Sequence, residues 1–151
     1  MERGKKAAEL FVQGYNCAQA VAIAFCDLTG FTEAQSAKLA SSFGGGMGRM
    51  REVCGAVSGM LLVAGWLYGY DGARDSAGKR THYERVQYLA GQFREKMGSI
   101  VCRELLQNPP SDPVPSIRNE EYYKNRPCAA MVYTAAQILE AYLEEHPLEE
   151  N

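Results

Sequence analysis

Cys17, Cys26, Cys54, Cys102 and Cys128 are the residues of this chain whose chemistry stands out. A thiolate attacks disulfides and binds soft metals, whereas a buried neutral thiol packs as a small hydrophobe, so position decides between these roles. Cys17 follows Asn16, an N-cap type, Cys102 comes shortly after Ser99, and Cys128 follows Pro127. Cys54 comes after a glycine-rich loop and the run Arg49-Met50-Arg51-Glu52. All four are expected to open helices, where unpaired backbone N–H groups and the positive end of the dipole favour thiolate over thiol. Their convergence would form one polarised pocket for thiol–disulfide or electron-transfer chemistry, with Cys17, Cys54, Cys102 and Cys128 as the catalytic residues. Arg49, Arg51 and Arg103 stand near them in sequence and are candidates to add positive charge. Cys26 is expected to close its helix and stay outside the set.

Those cysteines must be positioned by helices. Nineteen alanines and twelve leucines outnumber the seventeen valines, isoleucines and threonines, a balance that favours helix over strand. Apolar residues at Cys128, Val132, Ala135, Leu139 and Tyr142 alternate steps of four and three, which predicts an amphipathic helix. Tyr83, Val86, Ala90, Phe93 and Met97 predict another, starting near Ala73 to Ser76, with Arg85 on its outer face and His82 at the surface. A helix from Cys17 to Leu28 is expected to stop at Gly30, and Thr32 to cap one over Glu33 to Phe43. Arg3 to Gln13 predicts the first helix. No alternating strand is evident. The expected fold is all-α, one domain over residues 1–151, a bundle of about five main helices with a glycine-bearing buried helix at its centre. That central helix is the uncharged stretch Val53 to Tyr70, in which Gly55 and Gly59 form a small face where a second helix backbone could come close. Gln107 to Arg118 carries Pro109, Pro110, Pro113 and Pro115, which predicts a surface loop or lid at 107–118.

The run Gly44-Gly45-Gly46-Met47-Gly48 lacks the preceding strand and the Gly-Lys-Ser/Thr ending of a phosphate loop. It is expected instead to bring backbone close to a buried site, with Gly45, Gly46 and Gly55 as candidate cofactor-binding positions. The same four cysteines are the metal ligands of an alternative reading, because thiolates select zinc or an iron–sulfur cluster. Their spacing contains no C-x-x-C hairpin, and the two histidines, His82 and His146, stand apart from them. A further alternative is a non-catalytic helical adaptor with its cysteines as core filling.

Composition narrows the partners. Sixteen Lys and Arg against eighteen Asp and Glu give a net charge of −2, so no global field recruits nucleic acid. The N-terminal residues lack the apolar core of a signal peptide, and Val53 to Tyr70 is short and glycine-rich for a membrane span, so a cytoplasmic protein is expected. A redox partner protein or a small thiol is the expected partner, and a homodimer the default assembly.

Three blocks together carry a resemblance. Tyr15-Asn16-Cys17-Ala18-Gln19-Ala20-Val21 comes first, followed by Phe43-Gly44-Gly45-Gly46-Met47-Gly48 leading into Cys54-Gly55-Ala56-Val57-Ser58-Gly59. Then comes Gly98-Ser99-Ile100-Val101-Cys102-Arg103-Glu104-Leu105, with Cys128 opening the last helix. In this order they resemble the C_GCAxxG_C_C family. The resemblance implies a small helical prokaryotic protein with redox activity, whose signature cysteines fall on Cys17, Cys54, Cys102 and Cys128. It also implies iron–sulfur binding as an alternative, since a related domain occurs in a multihaem cytochrome with such a centre. No C-x-x-C-H motif is present here to attach haem.

Overall fold

The computed structural model describes residues 2–149, and their regular structure is helical. In chain order the elements are α1 (Arg3–Val12), α2 (Cys17–Ile23), α3 (Cys26–Thr29), α4 (Glu33–Ala40), α5 (Gly44–Met47) and α6 (Gly55–Tyr68). They continue with α7 (Ser76–Met97), α8 (Cys102–Leu106), α9 (Glu120–Asn125) and α10 (Cys128–Glu145). The protein is all-α. Its only β-type pairing among the described residues is an isolated antiparallel bridge between Val53 and Val101. None of the described helices is long and apolar enough to cross a membrane.

Helix α2 is the most completely enclosed. Ala18, Ala20, Val21 and Ile23 are fully buried between α6, α4, α10 and α1. Its start is fixed by a reciprocal cap: Gln19 N–H donates to Asn16 Oδ1 at 2.8 Å, and Asn16 N–H to Gln19 Oε1 at 3.0 Å. Helix α6 buries Gly55, Ala56, Val57, Gly59, Met60, Val63 and Ala64 and leaves Trp66 61% exposed. Helix α1 packs along α10, and α7 crosses α6 and α10. Phe11, Phe25, Phe93, Met60, Leu89 and Leu139 fill the core, each contributing about 1.5–3 kcal/mol of apolar burial.

The expected helix from Cys17 to Leu28 is two helices. The chain leaves helical geometry at Phe25, whose φ is −116° and ψ 13°, so Cys26 opens the short α3 instead of closing a long helix. Arg3 explains why the break is tolerated. Its Nη1 donates to the Ala24 carbonyl at 2.8 Å, and the guanidinium forms a two-pronged pair with Asp27. The last turn of the helix capped by Thr32 tightens to a 3₁₀ turn at Ser41–Phe43.

On α7 the buried stripe is His82, Leu89 and Phe93, while Tyr83 is 52% exposed. The apolar face is therefore turned by about one residue from the sequence expectation. Arg85 causes this: it reaches inward to the Tyr142 hydroxyl at 2.9 Å and meets His82 Nδ1 at 2.7 Å. Burial and the facing guanidinium lower the His82 pKa.

Gly55 and Gly59 supply the close approach expected of them. A Cβ on Gly59 would stand 2.6 Å from the Ala18 carbonyl oxygen and 3.0 Å from Ala18 Cα, both backbone atoms of α2. Gly59→Ala is expected to lower stability by about 1–2 kcal/mol, because overpacking outweighs the helix-propensity gain of roughly 1 kcal/mol. Gly91 on α7 has no atom within 4 Å of the same added carbon, so Gly91→Ala is expected to shift stability the other way. Thermal unfolding of the two variants, side by side, checks the sign.

Candidate functional site: a cysteine cavity under a proline-rich segment

Cys17, Cys54, Cys102 and Cys128 line one cavity of about 280 Å³. Each is nearly buried, between 3% and 8% exposed. Cys17, Cys102 and Cys128 are the first residues of α2, α8 and α10, and Cys54 is the N-cap of α6. Two backbone bonds flanking the Val53–Val101 bridge hold two of them together. Cys54 N–H donates to the Ile100 carbonyl at 2.7 Å, and Cys102 N–H to the Glu52 carbonyl at 2.6 Å. Val101, not Ser99, is the N-cap of α8, and the Ser99 hydroxyl accepts from Val101 N–H instead. Cys26 does not line the cavity.

The glycine run wraps this site in left-handed backbone. Gly45, Gly46 and Gly48 have φ between 56° and 70°, and the non-glycine residues Met47, Arg49 and Arg51 have φ of 70°, 69° and 62°. Three non-glycine residues in this region within five positions store strain of the kind found at functional sites. Gly45, Gly46 and Gly55 all line the cavity, and their nearest neighbours are protein atoms. A Cβ on Gly46 would lie 2.7 Å from Cys102 Cβ, and one on Gly55 would lie 3.1 Å from Cys17 Cβ.

Residues 107–118 form no helix and line the cavity through Pro113, Pro115, Ser116 and Arg118. Arginines tie them down. Arg49 Nε donates to the Asp112 carbonyl at 2.8 Å, Arg49 Nη1 to Ser116 Oγ at 2.8 Å, and Arg51 Nε to the Pro110 carbonyl at 2.9 Å. Arg118 Nη1 donates to the Phe11 carbonyl at 2.7 Å. Arg49 and Arg51 therefore belong to the site, whereas Arg103 pairs with Glu52 at 3.2 Å and does not line the cavity.

The four sulfurs are not equivalent. Cys128 is lowered to about 7, chiefly by its interaction with the neighbouring Cys17 thiol, with help from the charges of Arg126, Arg118 and Arg51 against the cost of burial. Cys17 is raised by its interaction with Cys128 and by burial. Cys54 is pushed up to about 12 because desolvation exceeds the favourable backbone N–H contacts from Ala56 and Val57. A helix start alone does not set the direction: the Cys128 interaction and burial raise Cys17, burial raises Cys54, and Cys128 is lowered. Alkylation of Cys128 by iodoacetamide, followed by peptide mass mapping, is expected to rise with pH and reach half its maximum near pH 7.

The donor chemistry suits a soft metal, but the arrangement does not. Cys54 Sγ donates to Met131 Sδ at 3.8 Å, and Cys102 Sγ accepts from Arg51 Nη1 at 3.7 Å. Among the described residues no group of three or more His, Cys, Asp or Glu side chains is placed to hold one ion.

Arg118, Tyr122, Arg126 and Met131 are site residues that sequence reasoning missed. Arg126 stands two residues before Cys128 and Met131 three residues after it, one helical turn on, so proximity to Cys128 was the available signal for both.

An all-α scaffold that gathers cysteines from four separate segments around a covered, arginine-lined cavity defines the class. The family model described as "Putative redox-active protein (C_GCAxxG_C_C)" matches residues 15–142, and the chain belongs to that family. No curated protein and no solved structure matches the chain.

Proposed function

We propose that this is a thiol–disulfide redox protein in which Cys128 is the nucleophile and Cys17 the resolving thiol. The observation that carries the reading is that Cys17 and Cys128, the first residues of α2 and α10, line the same arginine-lined cavity, where their mutual interaction and the arginine charges lower Cys128 to about 7. A nucleophile with a pKa near ambient pH combines thiolate population with reactivity. In the reductive direction, the Cys128 thiolate attacks one sulfur of a disulfide substrate, forms a mixed disulfide and releases the first substrate thiolate. Cys17 then gives up its proton, attacks Cys128 Sγ and releases the second. The protein ends with a Cys17–Cys128 disulfide, and the substrate has gained two electrons and two protons as two thiols. A redox partner protein or a small thiol reverses the change on the protein.

Cys54 and Cys102 share the cavity and stand available as a second pair. Gly46 and Gly55 serve the site by letting backbone and cysteine Cβ atoms pack without intervening side chains, and Gly45 leaves room for the Arg49 and Arg51 side chains. The test is a thiol count. Mild oxidation of the fully reduced protein is expected to remove two titratable thiols, or four if Cys54 and Cys102 also pair, and an unchanged count overturns the proposal.

A further inference from the structure

We infer that the cysteine cavity is an oxyanion site, in which Arg51 holds the anionic group of a small substrate beside Cys102 and Cys128. The inference rests on the thiol reading of the same cavity and names the class of substrate it takes.

Arg51 is 4% exposed and lines the cavity. Its Nε is used by the Pro110 carbonyl and its Nη1 by Cys102 Sγ, but its buried Nη2 has no partner. A guanidinium stays charged under all ordinary conditions and offers five donors in a planar fork. Burying such a donor unpaired is costly, and a ligand oxygen is the partner that relieves the cost.

The surroundings carry the same sign. Arg49, Arg51, Arg118 and Arg126 line the cavity, and among the described residues no Asp or Glu does. Arg49 has a carboxylate nearby in Asp112, whereas Arg118 and Arg126 lie over the Tyr122 ring at 5.5 and 5.1 Å. Low-dielectric walls around fixed positive charge focus an anion-attracting field. A cavity of about 280 Å³ suits a small molecule. The shared chemistry is an oxyanion able to meet a guanidinium fork, either a free inorganic ion or the carboxylate or sulfonate of a small sulfur compound.

Iodoacetate and iodoacetamide have nearly the same shape and differ in charge, so their relative rates at Cys128 read the field where the substrate sits. Both attack the same thiolate, and the ratio cancels any change in thiolate population. The iodoacetate to iodoacetamide ratio at wild-type Cys128 is expected to exceed that of a free thiol by about tenfold, as one charge-assisted hydrogen bond supplies. Arg51→Met is expected to return the ratio toward the free-thiol value, and Arg51→Lys to keep part of it. Sulfate at constant ionic strength separates the sources. Slowing of both reagents by sulfate supports a free inorganic oxyanion, and an undiminished charge preference without such slowing supports an anion carried on an organic substrate.

A wild-type ratio equal to that of a free thiol overturns the inference without any variant, even if Arg51→Met fails to fold. A high ratio that Arg51→Met leaves unchanged in a folded protein overturns it as well. In both cases Cys128 still reacts and the thiol reading stands. Failure of Cys128 to react with either reagent near neutral pH contradicts the thiol reading itself and removes the inference with it.

Discussion

Cys128→Ser is expected to lower the protein's alkylation rate at pH 7 by about 50-fold, because an ordinary thiol near 9 is roughly 1% ionised there and Cys128, at about 7, is half ionised. The companion variants separate the two roles of Cys17. In Cys17→Ser a hydroxyl still neighbours the Cys128 sulfur, so fast alkylation persists, but the mixed disulfide formed with a substrate has no resolving thiol and accumulates. In Cys17→Ala the polar neighbour is gone as well, and the alkylation midpoint moves to higher pH. Stopped alkylation followed by intact mass measurement distinguishes the three. If Cys17→Ala leaves the midpoint at about 7, the interaction with Cys17 is not what ionises Cys128.

The second large effect is on the scaffold. Gly46→Ala places a Cβ at φ 70°, 2.7 Å from both Cys102 Cβ and the Glu52 nitrogen, and 2.9 Å from the Arg51 carbonyl carbon. Left-handed geometry costs an alanine about 1–2 kcal/mol, and overpacking against backbone adds roughly 1–3 kcal/mol. A loss of about 2–5 kcal/mol in chemical denaturation is expected. Gly48→Ala isolates the first contribution, because its φ is 56° but the nearest atom to an added Cβ is 3.9 Å away. Equal losses in the two variants would show that the contact with Cys102 is relaxed at little cost.

Helix class, the caps at Asn16 and Thr32, and the cysteine set are visible in the sequence because they depend on local spacing. Asn16 and Gln19 form their box three residues apart, and Gly55 and Gly59 mark one helix face, so both can be read from neighbours. The break at Phe25 cannot. It is stabilised by Arg3, more than twenty positions earlier, whose guanidinium takes the Ala24 carbonyl and the Asp27 carboxylate. The inward turn of α7 likewise depends on Arg85 meeting Tyr142 from the last helix.

At the site, sequence placed the four cysteines at or next to helix starts but could not rank their thiols. The ranking comes from which sulfur faces which group. Cys128 faces the Cys17 thiol and three arginines, while Cys54 is buried with Met131 as its acceptor. The residue type alone gives each the same reference pKa. Burial, a tertiary property, raises both Cys54 and Cys128, and only at Cys128 do the neighbouring Cys17 and the arginine charges outweigh it.

Cys17 and Cys128 are expected to act as one redox pair. Peptide mapping under non-reducing conditions, after oxidation of the fully reduced protein with one equivalent of diamide, tests it directly. The predicted product is a peptide pair linked through Cys17 and Cys128, formed before any other linkage. Oxidised protein in which Cys17 and Cys128 both remain free to alkylation contradicts the claim.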